Sequence, residues 1–278
     1  MKSNLERTRD LVALEAYSVS DLGGLVRKVF PSIKTGLHNL VGMFGQGHDK
    51  VGLTSNQHDF MKVLNHKQYV DLMPLTAYVP EGLAVSYLEY DRELRPMVER
   101  ACLVMSVLNP YSTWLALMAH SNEALLDTKS HAREYEKLAQ ERDALTRRVA
   151  ACFKAGSTRT EAKLSDVIHR NSDWPAVFKA TDAMSVEINK IDRKALDKKL
   201  NECVELIDAI GRKIERGDFE DVTPEAVMGL SDGAYHVAQE LEFFSATYYR
   251  VLAFTTAVDR SLKHVVTVYK DNPDLKAA

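Results

Sequence analysis

Little in this chain marks a secreted domain, a metalloprotein or a nucleic-acid binder. Its 278 residues include only three cysteines, Cys102, Cys152 and Cys203, set far apart. An odd, scattered set gives neither a disulfide framework nor a CxxC metal knuckle, and it fits a reducing intracellular compartment. Proline and glycine are sparse, at 8 and 13, so few breakers stand in the way of long helices. Neither charge dominates: 36 basic residues face 39 acidic ones, for a net of −3. That balance offers no electrostatic reason for general nucleic-acid binding, and no specific nucleic-acid partner is expected. Residues 1–17 alternate charged and apolar positions, unlike the apolar core of a secretory signal. The most apolar stretch, residues 101–121, nearly reaches the length of a membrane span. Asn109-Pro110 lies in its middle and reads as an N-cap followed by proline at the first helical position. The expectation is one buried helix ending there and another beginning.

Catalytic and cofactor motifs are also missing, and no cofactor is expected. No P-loop, GxGxxG, GxSxG or HExxH occurs, and Gly45-Gln46-Gly47 lacks the Lys-Ser/Thr of a phosphate loop. A four-helix di-iron site needs paired Glu-x-x-His motifs. His131, His169, His236 and His264 follow Thr128, Asp166, Gly233 and Ser261 at that spacing, so only Asp166/His169 comes near it. His236 and Glu240 share a helical face without a second pair. His58-Asp59 has the metal-binding dipeptide of HD-type phosphohydrolases but no defensible partners at His48 or His66. Cys152 and Cys203 fall on apolar stripes and read as inert core thiols. Phe243, Phe244, Tyr248 and Tyr249 read as packing, with the two phenols at the rim. The sequence describes an architecture and names no enzyme.

What is present is periodicity. Val237, Leu241, Phe244, Tyr248, Val251, Thr255, Val258, Leu262, Val265 and Tyr269 keep an unbroken 4-3 spacing. Such spacing lays one coiled-coil-like seam along a helix, with Thr255 its only polar member. A helix over 232–270 would be roughly 58 Å long at ~1.5 Å per residue. Residues 181–216 form a second long stripe, with a small phase shift near 191–196 and Gly217 as its C-cap. Thr223-Pro224 starts a short helix, and a break at 229–233 leads into the last one, which Asn272-Pro273 stops. Antiparallel packing of the two long helices would bury both stripes. Residues 110–154 would add a third rod, with Tyr135, Leu138, Leu145, Val149 and Cys152 in register and Arg142 the one charge among them. The fold class expected is all-α: an elongated helical bundle of long antiparallel helices with a loop-rich N-terminal third.

The organisation expected is a charged leader at 1–20, an amphipathic helix and irregular head at 21–82, and the long-helix bundle at 83–278. Pro31 should bend or divide the helix at 21–45, and Pro96 should kink one at 83–108. A basic amphipathic helix at 21–45 suits an anionic membrane surface or, as the preferred reading, the side of the bundle. Ser55 would cap a short helix through Asn65, residues 69–79 hold a short extended segment, and residues 160–169 a short helix. Residues 171–175 should form a turn. The seam on the last helix is the candidate interaction surface, for self-association or for other proteins.

The leader ends in Ala13-Leu14-Glu15, followed by Ala16. This resembles the sites that prohead proteases of large tailed bacteriophages cut, after Glu in a short small/apolar-x-Glu context. The resemblance covers about 17 residues and the helix-rich, motif-free character of the chain. It implies an internal head protein, in the host cytoplasm during assembly and then in the virion among other virion proteins. It also implies a leader removed after Glu15, leaving Ala16 as the new N-terminus. The other class of reading is a membrane-active helical protein, resting on 21–45 and 101–121.

Overall fold

The computed structural model describes residues 4–15, 22–41, 51–53, 57–65, 72–120, 128–218 and 223–271. The chain is all-α, with one small two-stranded sheet. The expectations at Ala16, Gly45-Gln46-Gly47, His48, Ser55, His66 and Asn272-Pro273 lie outside the described residues, as does the side chain of His131. Two units divide the chain, and both are assembled from non-contiguous segments. One holds Met1–His48, Leu103–Gln140 and Ile191–Phe244; the other holds Asp49–Cys102, Glu141–Lys190 and Ser245–Ala278. The sequential boundaries expected at 20 and 82 therefore do not delimit these units.

The first unit contains α1 (Asn4–Glu15), α2 (Leu22–His38), α5 (Val104–His120) and α9 (Arg193–Arg216). It also takes the first part of α6 (Thr128–Ala151) and the first half of α10 (Pro224–Asp271). Helix α9 packs against α5 and α2, and α2 also packs against α1. In the described part of α2, Val29, Phe30, Ile33 and Leu37 are buried. Pro31 lies inside α2 without dividing it. An interior proline costs ~3 kcal/mol, whereas each fully buried Val, Ile, Leu or Phe stabilises by ~1.5–3 kcal/mol. Four such residues around one proline outweigh it.

The same comparison corrects the expected break at Asn109-Pro110. Both residues lie inside α5, and the chain turns earlier, at Cys102–Leu103. Val107, Leu108, Tyr111 and Leu115 are buried on either side of Pro110, which keeps the helix intact across it. The expected rod over 110–154 is described as two helices, α5 and α6. The expected break at 229–233 is also absent, because α10 runs 48 residues without interruption. Gly233 is a packing residue: a Cβ there would lie 2.5 Å from the ring of Tyr111. Tyr111 is locked in turn, its hydroxyl donating to the Leu230 carbonyl at 3.1 Å. The cap expected at Thr223 holds, with its Oγ1 accepting from Ala226 N at 3.2 Å.

The second unit contains α3 (Gln57–Asn65), β1 (Thr76–Tyr78), α4 (Tyr87–Ala101), β2 (Glu161–Lys163), α7 (Leu164–Val167) and α8 (Trp174–Ile188). The remainders of α6 and α10 complete it. Strand β1 is the extended segment expected within 69–79. It pairs antiparallel with β2 in the register Thr76↔Lys163, Ala77↔Ala162, Tyr78↔Glu161. Residues 160–169, expected as one helix, are β2 followed by the short α7. The sheet is pinned to α10: Tyr78 N donates to Ser261 Oγ at 2.9 Å, and Ser261 Oγ donates to Ala257 O at 2.9 Å. Tyr87 donates its hydroxyl to the Tyr78 carbonyl. Phe60, Trp174 and Phe178 form an aromatic cluster, with centroids 4.7–5.6 Å apart.

The long helix expected over 181–216 is two helices. Helix α8 ends at Ile188, and Asp192 caps α9 by accepting from Lys194 N at 2.9 Å and Ala195 N at 3.2 Å. The phase shift marks this break. The turn expected at 171–175 is a 3-10 turn over Asn171–Asp173, with Pro175 in the first turn of α8. Pro96 stands inside α4 without ending it. Gly217 caps α9 in the left-handed region, at φ 74° and ψ 20°.

Candidate functional site

Nine of the ten seam positions on α10, Val237, Leu241, Phe244, Tyr248, Val251, Thr255, Val258, Leu262 and Val265, are buried within the chain; Tyr269 is half-buried. Tyr87 and Tyr90 set their rings against Phe254 at 5.5 and 5.4 Å, one residue from Thr255. The stripe thus works as core in this chain. Phe243 is buried with Phe244 and Tyr248, while Tyr249 is exposed.

A polar cluster stands out on the first half of α10. Asp232, Tyr235, His236 and Glu240 recur at helical intervals, so one face carries them. Asp232 has a partner on each carboxylate oxygen. Its Oδ1 lies 2.6 Å from Arg9 Nε of α1, and its Oδ2 lies 3.5 Å from His236 Nε2. The Arg9 guanidinium also sits 4.7 Å from the centre of the Tyr235 ring, a cation–π distance. His236 stacks on Tyr135 of α6, with centroids 4.8 Å apart and planes 28° apart.

The electrostatics follow from this placement. Burial pushes the Asp232 carboxyl up, but the hydrogen bond and charge of His236, with Arg9, more than offset it and hold the group below its ordinary range. Tyr135 is pushed up to about 12, chiefly by burial and further by Glu134 and Asp232. A carboxylate held charged beside an aromatic face suits the binding of a guanidinium. The cluster presents neither an activated hydroxyl nor a thiolate.

The cluster is where α1 docks. Leu5, Thr8 and Val12, spaced three and four apart, are buried. Leu5 rests in a notch over Gly36 of α2, where a Cβ would lie 2.5 Å from Leu5 Cγ. Helix α1 is thus held within unit 1 through apolar, ionic and aromatic contacts. Of the predicted processing residues, Ala13 is exposed and α1 remains helical through Glu15. The side chains of Leu14 and Glu15, and all of Ala16, lie outside the described residues.

The other candidates are accounted for by local contacts. Asp166 pairs with Arg159 at 2.5 Å, and His169 is exposed. His58 is exposed, and Asp59 lies 3.6 Å from both Lys62 and Lys270. His264 meets Tyr78 edge-on at 6.0 Å. Burial raises all three thiols, that of Cys203 to about 11, whereas a nucleophilic cysteine requires a lowered value. Among the described residues, no group of three or more His, Cys, Asp or Glu side chains is placed to hold a metal ion.

The face shared by His236 and Glu240 was legible in the sequence; Asp232 and Arg9 were not joined to it. The available signals were the Asp-x-x-Tyr-His spacing and the Leu5/Thr8/Val12 stripe beside Arg9. Comparison with protein families, characterised proteins and solved structures finds no match for this chain.

Proposed function

We propose that this chain is a non-enzymatic structural protein, an internal head component of a tailed bacteriophage particle, with α1 as a removable leader. The observation that supports this reading best is the seating of α1. The charged helix that ends in Ala13-Leu14-Glu15 packs on α2 through a buried face and meets Asp232 and Tyr235 of α10 through Arg9. A covered seam on α10 is consistent with a subunit that docks through surfaces other than that seam. Mass spectrometry of purified phage particles tests the reading. The protein is expected in them, beginning at Ala16. Its absence sinks the virion assignment, and intact residues 1–15 sink the processing assignment alone.

A membrane-active reading has one observation in its favour. Tyr87–His120 contains a stretch long and apolar enough to cross a membrane by length and composition, with 44% of that window buried. Leu103 and Leu117 are exposed on it. The described part of the amphipathic stripe of α2, the other support for that reading, is buried at Val29, Ile33 and Leu37. Co-sedimentation with anionic and neutral liposomes discriminates. Tight binding to either favours the membrane, and none removes it.

A further inference from the structure

We propose that one face of α10 is a self-association surface: a second copy of this chain packs on it antiparallel, about a two-fold axis level with Val251. This goes beyond the particle reading and does not depend on it.

The face is set by helix geometry. Over residues 241–261 the exposed positions are Glu242, Ala246, Tyr249, Ala253 and Arg260, with Thr256 half-buried in line with them. All stand on one uninterrupted helix. They recur at alternating intervals of four and three residues. At about 3.6 residues per turn, the six fall within an arc of roughly 80°. The middle of this stripe is uncharged, and its two ends carry opposite charges.

That arrangement is its own complement. A two-fold contact uses the same patch on both copies, so the patch must match itself. The six positions are symmetric about residue 251: Glu242 and Arg260 stand nine residues to either side, Ala246 and Thr256 five, Tyr249 and Ala253 two. In an antiparallel pair, Glu242 of one copy therefore meets Arg260 of the second copy, and the same contact repeats at the far end. At the centre Tyr249, 48% exposed, meets Ala253, a large side chain against a small one. A parallel pair would set Glu242 beside Glu242 and Arg260 beside Arg260, so charge selects the antiparallel direction.

The intrachain contacts leave these groups ready for it. Neither Glu242 nor Arg260 has an ion-pair or hydrogen-bond partner among the described residues. Tyr249 is steadied by the buried Tyr248, whose ring meets it edge-on at 5.6 Å. Arg250, another charge near the centre, is engaged with the buried Met97, its Nη1 3.9 Å from Sδ. From Glu242 to Arg260 the contact would run roughly 27 Å along the helix at ~1.5 Å per residue. An interface of that length is small, so the dimer is of the transient, concentration-dependent kind.

Sedimentation velocity of the full-length chain over a concentration series tests this. The expected result is a reversible monomer–dimer equilibrium. Glu242→Arg turns two attractive pairs into two repulsive ones and is expected to raise the dissociation constant roughly tenfold. Arg260→Glu is expected to do the same. The double variant Glu242→Arg/Arg260→Glu exchanges the charges and is expected to dimerise like the wild-type chain. An equimolar mixture of the two single variants is expected to associate where neither does alone, because each then supplies the charges the other lacks. A chain that stays monomeric at up to about 1 mM overturns the surface. So does a dimer that neither single reversal weakens, and so does a loss that neither the double variant nor the mixture restores. Absence of the protein from particles leaves this surface standing, and a monomeric chain leaves the particle assignment standing.

Discussion

Thr255 and Gly233 sit on the same helix and carry opposite consequences for substitution. The Thr255 hydroxyl is buried and has no hydrogen-bond partner among the described residues. A buried hydroxyl without a partner costs roughly 1–3 kcal/mol. Thr255→Val keeps the branched shape and removes that cost, so it is expected to leave stability unchanged or raise it by about 1 kcal/mol. Urea denaturation checks this, and a lower midpoint would reveal a polar requirement at the position. Helix propensity alone favours Gly233→Ala, since alanine is preferred over glycine in a helix by ~1 kcal/mol. Here the new methyl would strike the Tyr111 ring, and overpacking of a fixed core costs about 1–3 kcal/mol. With Tyr111 held through its hydroxyl, the clash prevails. Gly233→Ala is expected to lower the melting temperature, and Tyr111→Ala in the same chain should relieve the clash at the cost of a cavity.

Helix ends show which elements the sequence discloses and which it hides. Asp192 is the whole N-terminal cap of α9, accepting from two backbone N–H groups. Losing such a cap costs ~1 kcal/mol. Asp192→Ala is expected to destabilise by about that much, while Asp192→Ser restores most of it; thermal denaturation of the pair measures both. Caps are local chemistry, so Gly217 and Thr223 were legible as written. Breaks are not local. Asn109-Pro110 and the 229–233 stretch read as breaks, and both stand inside helices; Pro31 and Pro96, expected to bend, divide or kink theirs, also stand inside helices. Burial of the residues around them decided the outcome, and that burial depends on helices distant in sequence. The α8–α9 break showed only as a phase shift, because Ile188 and Leu196 continue one apolar stripe across it. Strands of three residues such as β1 and β2 carry too little alternation to register; β1 was anticipated only as an extended segment, and β2 was taken for helix. The α10 seam was legible because ten positions repeat one spacing. The Arg9–Asp232 contact was not, because its partners lie at opposite ends of the chain and neither belongs to a repeating pattern.

Across the whole molecule, the two units answer acid in opposite senses at two carboxylates. In unit 1, Asp232 is held below its ordinary range. Its contribution is present above the unfolded-state pKa and is lost as pH falls through the lower folded value. In unit 2, Asp91 of α4 is raised by burial, more than the hydrogen bond and charge of Arg95 lower it. Its Oδ1 is buried without a partner among the described residues, although Oδ2 lies 2.7 Å from Arg95. A raised folded value means the contribution of Asp91 is fully present below the unfolded pKa and is lost as pH rises through the folded one. Asp91→Asn should therefore stabilise unit 2 at about pH 7, where the wild-type carboxyl must be buried charged, and give no gain at about pH 3. The chain's two tryptophans divide the readout, since Trp114 lies in unit 1 and Trp174 in unit 2. In a Trp114→Phe background, the fluorescence of the fully buried Trp174 follows unit 2 alone. The urea midpoint it reports is expected to rise on Asp91→Asn at the higher pH and to coincide with that of the parent at the lower. A fall in midpoint at about pH 7 would show that the Arg95 pair outweighs the burial of its carboxylate.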